Sequence, residues 1–194
     1  MFKKIILFST AVLLFGITCF AQETIASLDI KRVEIQKNGM LVLGSWAALN
    51  IGSSLIFSRN TIGTKKYFHQ MNGYWNTINL VLAAGSYLTA EANAGNLAEL
   101  LLQQSGIEKI LLFNAALDLG YMMGGAYLIE RSKNSAKNPQ RLKGFGQSVI
   151  LQGGFLFAFD LIMYGVLHQN HLKIIDFTNQ LSLTILPTGL TLNF

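Results

Sequence analysis

Apolar residues in this chain gather into runs of about twenty, separated by short polar segments. Four such runs follow an N-terminal one, at residues 39–57, 71–89, 107–129 and 145–167. A helix rises about 1.5 Å per residue, so each run is long enough to cross, or nearly cross, a bilayer's hydrocarbon core of roughly 30 Å. The third, Ile107 to Ile129, carries an acid, Asp118, close to its middle. Residues 22–38 are polar and mixed in charge, with Ile25, Leu28, Val33 and Ile35 as scattered apolar positions, and predict an amphipathic lead-in helix on the membrane surface. In the segment 90–106, Asn96 and Glu99 have capping-box spacing and predict a short helix. Ser105 and Glu108 repeat that spacing and predict the start of the third span. Past residue 167 the period changes. Leu181, Leu183 and Ile185, a Pro187-Thr188-Gly189 turn, then Leu190 and Leu192 predict a β-hairpin within the tail 168–194. The fold class expected is an all-α membrane protein, its four transmembrane helices forming two repeated helical hairpins (39–89 and 107–167) with a short C-terminal β-hairpin outside.

Composition supports that class. The chain is 51% hydrophobic and 13% charged, with mean hydropathy +0.39, too little polar surface to cover a water-soluble domain of 194 residues. Residues 1–21 combine Lys3 and Lys4, an apolar run and the small residues Cys19 and Ala21, the pattern of a secretory signal cut after Ala21. Cys19 is the only cysteine, so a mature chain has no disulfide, thiolate ligand or cysteine nucleophile. Cleavage lowers the net charge by two, from +5 to +3. The basic residues explain themselves by position. Arg59, Lys65, Lys66, Arg131, Lys133, Lys137, Arg141 and Lys143 fall in the first and third interspan loops, whereas 90–106 holds Glu91 and Glu99 and no base. That places the basic loops in the cytoplasm and both mature termini outside. Because the cations are not interleaved with aromatics on one soluble face, nucleic acid is not expected as a partner.

An internal repeat is visible. Trp46-Ala-Ala-Leu-Asn-Ile-Gly52 aligns with Asn114-Ala-Ala-Leu-Asp-Leu-Gly120, and Gly73-Tyr-Trp-Asn-Thr-Ile-Asn-Leu80 with Gly144-Phe-Gly-Gln-Ser-Val-Ile-Leu151. Two even-numbered units share one orientation, related by a pseudo-twofold along the membrane normal. Small residues recur every four positions at Gly44, Ala48 and Gly52, and at Ala116, Gly120 and Gly124, which predicts helix-packing seams there.

Polar lines run beside those seams: Trp46, Asn50 and Ser54; Asn114, Asp118 and Tyr121; and Asp160, Tyr164, His168 and His171. No Lys or Arg lies at a depth to pair with Asp118 or Asp160. Each acid is then protonated, hydrogen-bonded within the bundle or exposed to a wet cavity. Two readings follow. Asp118, Asn50, Asn114 and Tyr164 make an interhelical hydrogen-bond network that fixes register, or Asp118 and Asp160, with Asn50, Asn114, Tyr164 and His168, line a site for a proton, cation or small ligand. His168 and His171 supply half of a metal set, and with no further ligand evident in the sequence neither a metal nor any other cofactor is expected. P-loop, HExxH and GxSxG motifs are absent, and Gly144-x-Gly146 follows a basic loop rather than a strand, so no enzyme is expected.

Signal peptide, four spans and the GMLVLGSWAALNIG and GYWNTINL segments together resemble an uncharacterised family of small bacterial membrane proteins, over residues 30–194. The resemblance implies the architecture and supplies no activity. The function expected is a non-enzymatic structural or accessory bundle of the cytoplasmic membrane, or, as the alternative, binding or transport through the polar site. The partners expected are the lipid bilayer and a homo-oligomer or membrane protein. In a Cys19→Ser background, Asn93→Cys is expected to react with a membrane-impermeant maleimide on intact spheroplasts, and Ala136→Cys only after lysis. The reverse pattern overturns the topology.

Overall fold

A computed structural model describes the backbone of residues 2–185 and the side-chain surroundings of residues 25–179. Within it lie four helices: α1 (Phe2–Asn60), α2 (Gly63–Thr89), α3 (Leu97–Lys133) and α4 (Pro139–Ile185). Successive helices run antiparallel. α1 packs chiefly on α2 and α3 chiefly on α4, and the two hairpins join through α2 and α4. Two helical stretches, Ile25–Asn60 and Pro139–Asn179, are long and apolar enough to cross a membrane. α2 and α3 contain Asn72, Asn76 and Asn79, and Asn114 and Asp118, which dilute their apolar runs.

The connections are shorter than the polarity of the loops suggests. Only residues 61 and 62 separate α1 from α2. Gly63, at φ +62°, takes the left-handed backbone that this tight reversal needs, and the Thr61 hydroxyl donates to the Phe57 carbonyl at 2.6 Å. Pro139 opens α4 instead of merely ending a helix, at the first-turn position where its missing N–H costs nothing.

Three local expectations are corrected. The lead-in segment 22–38 is no separate surface helix but part of α1, and its Asp29 and Arg32 are buried. Asn96 does cap a helix, accepting from the Glu99 N–H at 2.9 Å, but that helix is α3, which runs unbroken past the second capping box. Ser105 donates instead to the Leu102 carbonyl. Leu181, Leu183 and Ile185 lie in α4, so no hairpin strand forms there, while the Pro187-Thr188-Gly189 turn and the second strand fall outside the described residues. Three alternating apolar positions do not outweigh extension of an established helix, which gains a backbone hydrogen bond with each residue added.

Asp29 and Arg32 build a latch at the end of the bundle that carries the α2–α3 connection. The Arg32 guanidinium bonds Asp29 Oδ1 and donates to the Glu91 carbonyl at 3.1 Å, and the Ala94 N–H donates to Asp29 Oδ2 at 2.8 Å. A buried pair is stabilising only when its remaining valences are met, and here backbone groups of the 90–96 segment meet them.

Polarity is inverted across the bundle. Asn72, Asn76, Asn79, Gln104, Asp118, Ser148, Gln152 and Asp160 are buried, while Leu49, Ile78, Val81, Leu88, Phe113, Met123, Tyr127 and Ile162 are exposed. An apolar cluster of Leu43, Ala83, Leu111, Phe159, Met163 and Leu167 occupies the half nearer the latch.

The small-residue seams are only partly where the spacing predicts: Gly44 packs against Ala83 of α2, and the rest do not hold. A side chain at Gly52, Gly120 or Gly124 would meet nothing within 4 Å. Close approach occurs one position on. A methyl on Gly125 would lie 2.7 Å from the Gly146 carbonyl oxygen, and one on Gly153 would lie 3.1 Å from that of Asp118. The inward face of α3 is the one bearing Ala115, Asp118 and Gly125, so the polar line, not the glycine line, is the packed face. Gly146→Val is therefore expected to lower stability in detergent by about 3 kcal/mol through overpacking between backbones. Gly124→Ala is expected to be neutral, or to gain up to about 1 kcal/mol of helix propensity. Thermal unfolding monitored by circular dichroism checks both.

Candidate functional site

The buried polar groups form separate clusters at successive levels. Nearest the 61–62 and 134–138 turns is an amide network. Asn72 Oδ1 accepts from Ser148 Oγ at 2.6 Å and from Gln152 Nε2 at 3.0 Å, and Trp46 Nε1 donates to Gln152 Oε1 at 2.9 Å. Asn50 Oδ1 receives longer bonds from Asn72 at 3.4 Å and Gln152 at 3.5 Å, and Asn50 Nδ2 returns to the Trp46 carbonyl. Asn76 Nδ2 donates to the Asn72 carbonyl. Trp46 also stacks on Phe155, ring centroids 3.9 Å apart and nearly parallel. The network joins α1, α2 and α4 and contains neither Asp118 nor Asp160.

Above it, α3 and α4 bring Asp118 and Asp160 together. Their carboxyl groups face each other within hydrogen-bond reach, and both residues are buried, at 3% and 6% exposure. Among the described residues no amide, hydroxyl or ring nitrogen donates to Asp118 Oδ2, although that atom is sealed from solvent. A buried acceptor without a donor is rare and calls for a ligand, a proton or an ordered water. The pair forms part of the wall of a half-open cleft of about 370 Å³ lined by α2, α3 and α4, with Leu43 of α1. Asn79, Asn114, Trp75 and Tyr121 add its other polar atoms, and Trp75 meets Tyr121 edge to face with centroids 4.9 Å apart. A larger groove of about 570 Å³ between α1 and α4 is mostly apolar, with Lys31 and Lys173 among its lining residues.

Of the six residues proposed from sequence, Asp118, Asp160 and Asn114 meet at one cavity. Asn50 belongs to the amide network. Tyr164 and His168 lie a level higher on α4, their rings stacked with centroids 5.4 Å apart. The expected register network of Asp118, Asn50, Asn114 and Tyr164 is thus replaced by one built on Asn72, Ser148 and Gln152, because the two polar lines sit at different heights. Sequence reading missed those three residues, and also Asn79 at the cavity and Gln104 and Glu108 higher up. Asn72, Asn76 and Asn79 at helical spacing within an apolar run were the available signal.

A small all-helical bundle, with polar groups inside and apolar side chains outside, is the class of protein these features define. The chain belongs to a protein family of unknown function, DUF6992, whose profile matches residues 42–161. That range takes in the amide network and the carboxyl pair. No curated protein and no solved structure matches the chain significantly.

The amide network makes its own prediction. Gln152→Leu leaves the Trp46 N–H without its acceptor and removes one donor to Asn72, and is expected to cost about 1–3 kcal/mol. The double variant Asn72→Leu/Gln152→Leu is expected to cost less than the sum of the single variants, as measured by a double-mutant cycle of thermal unfolding.

Proposed function

We propose that the chain is a non-enzymatic integral membrane protein of the bacterial cytoplasmic membrane, crossing it four times with both mature termini outside, and that Asp118 and Asp160 take up a proton or a monovalent cation. Inverted polarity supports the membrane part. Water drives apolar side chains inward, whereas lipid gives no such drive and makes unpaired polar groups costly. Asparagines and acids turned inward, with Leu, Ile, Phe and Met turned outward, fit the second solvent along all four helices. The eight basic residues at the 61–62 and 134–138 end support the orientation.

The observation that carries the binding part is Asp118 Oδ2, buried and without a donor beside a second carboxyl group at a cavity wall. Two facing carboxyl groups with no basic partner are stabilised by holding one proton between them, or by a cation in its place. Exchange of one for the other is the elementary step of proton- or cation-coupled binding. A second reading, a purely structural or accessory bundle, is favoured by the amide network, which is satisfied internally and needs no ligand.

Thermal stability of the detergent-purified protein, measured against pH and added Na⁺ or K⁺, separates the two. The binding reading expects wild type to lose stability as the shared proton is withdrawn at alkaline pH, and to regain it with the cation that binds. A pH response without a cation response assigns the proton alone. Asp118→Asn and Asp160→Asn are expected to be at least as stable as wild type and to lose these responses. If both variants unfold more readily by about 2 kcal/mol or more, and wild type responds to neither pH nor cation, the acids serve the fold and the structural reading stands.

A further inference from the structure

Ten residues along α3 from Asp118 toward the latch, about 15 Å by helix rise, lies Glu108. It is buried, at 7% exposure, and sits opposite the segment of α4 that carries His168 and His171. The two histidines, three residues apart on α4, turn the same ring atom to one carboxylate. His171 Nδ1 is 3.0 Å from both Glu108 oxygens, and His168 Nδ1 is 3.5 Å from Glu108 Oε2. All three ligand atoms lie within 4.8 Å of one another. Metal–ligand bonds of about 2.0–2.2 Å in a tetrahedral site put ligand atoms roughly 3.3–3.6 Å apart, so modest adjustment brings these three onto one ion.

Two further observations separate this cluster from an ordinary surface ion pair. His168 Nδ1 is sealed from solvent yet makes no hydrogen bond, although its side chain is 43% exposed overall. Glu108 is also held in place. Gln104 Nε2 donates to Glu108 Oε1 at 3.0 Å and to the Leu167 carbonyl at 2.7 Å, while Asn170 Nδ2 donates to Gln104 Oε1 at 3.3 Å. Carboxylates that ligate metals are commonly fixed by such outer hydrogen bonds, which orient the oxygens before the ion arrives.

We propose that Glu108, His168 and His171 bind one zinc-class divalent cation at the latch end of the α3–α4 pair. Two imidazole nitrogens and a carboxylate oxygen are a borderline-soft set that suits Zn²⁺ better than Mg²⁺ or Ca²⁺, and three protein ligands leave a fourth position for water or another small ligand. An apolar layer of Leu111, Met163 and Leu167 lies between this site and the carboxyl pair, and the inference does not rest on the function proposed for that pair.

The test is zinc titration of the full-length, tag-free protein in detergent after chelator treatment and desalting, by calorimetry with metal content read by mass spectrometry. One zinc per chain is expected, with Mg²⁺ failing to compete and Co²⁺ giving the visible absorption of a tetrahedral site. His168→Asn, His171→Asn and Glu108→Gln are each expected to weaken binding more than 100-fold, and Gln104→Ala by about 10–100-fold. Asp118→Asn is expected to leave zinc affinity unchanged. His168 is half-exposed, so His168→Asn retains the wild-type circular dichroism and elution volume and serves as the variant free of folding effects. The proposal is overturned if wild type takes up no stoichiometric zinc, or if folded His168→Asn binds it as tightly as wild type.

Discussion

Every buried amide and carboxyl group in this bundle must find its partner inside the bundle, and the rest of the structure follows from that requirement. A lone buried amide costs about 1–3 kcal/mol, so an interior holding Asn72, Asn76, Asn79, Gln104 and Gln152 is tenable only when helices approach closely and in fixed register. Gly144 permits that approach between α4 and α2, where a methyl would press on the Thr64 carbonyl oxygen, and Gly73 permits it between α2 and α1 beside Ser54. Trp46, Ser148 and the asparagines then close hydrogen bonds that a wider spacing would break.

Against that background of satisfied groups, the exceptions stand out. Five side-chain atoms among the described residues are sealed from solvent without a hydrogen-bond partner, Ser54 Oγ, His69 Nδ1, Asn170 Oδ1, Asp118 Oδ2 and His168 Nδ1, and the last two each lie beside another titratable or ligating side chain. Both are on the α3–α4 interface, one on each side of an apolar layer that includes Leu111, Met163 and Leu167. The amide network at the opposite end makes a contrasting case, since its donors and acceptors answer one another.

The helical architecture was legible because runs of apolar residues mark helices whatever their packing. Asp118 and Asp160 stand out in the sequence because no base lies at their depth, and the structure brings both to one cavity. Three kinds of information were not available from spacing. Which face of α3 turns inward depended on a competition between the line of Ala116, Gly120 and Gly124 and the line of Ala115, Asp118 and Gly125, about 100° apart on the helix. Small residues favour close packing, but in this bundle Ala115, Asp118 and Gly125 turn inward while Gly120 and Gly124 face open space. Glu108 read as the acid of a capping box, three residues after Ser105, and only the pairing of α3 with α4 shows it meeting His171. The alternating Leu181, Leu183 and Ile185 satisfy a strand pattern, yet no Gly or Pro lies between Gly165 and Ile185 to break the helix that runs into them.

Gln152, Asp160, His168 and His171 all project from α4, at offsets of eight, sixteen and nineteen residues from the first. One unbroken helix therefore sets the phase of the amide network, the carboxyl pair and the imidazole cluster together. Inserting a single residue between Gln152 and Asp160 would turn everything beyond it by about 100° and move it along by about 1.5 Å, dissociating two levels at once. The same insertion at residues 134–138 would only lengthen a loop. The chain can lengthen at residues 134–138, but within α4 its length is as much a determinant of the site geometry as the residues themselves.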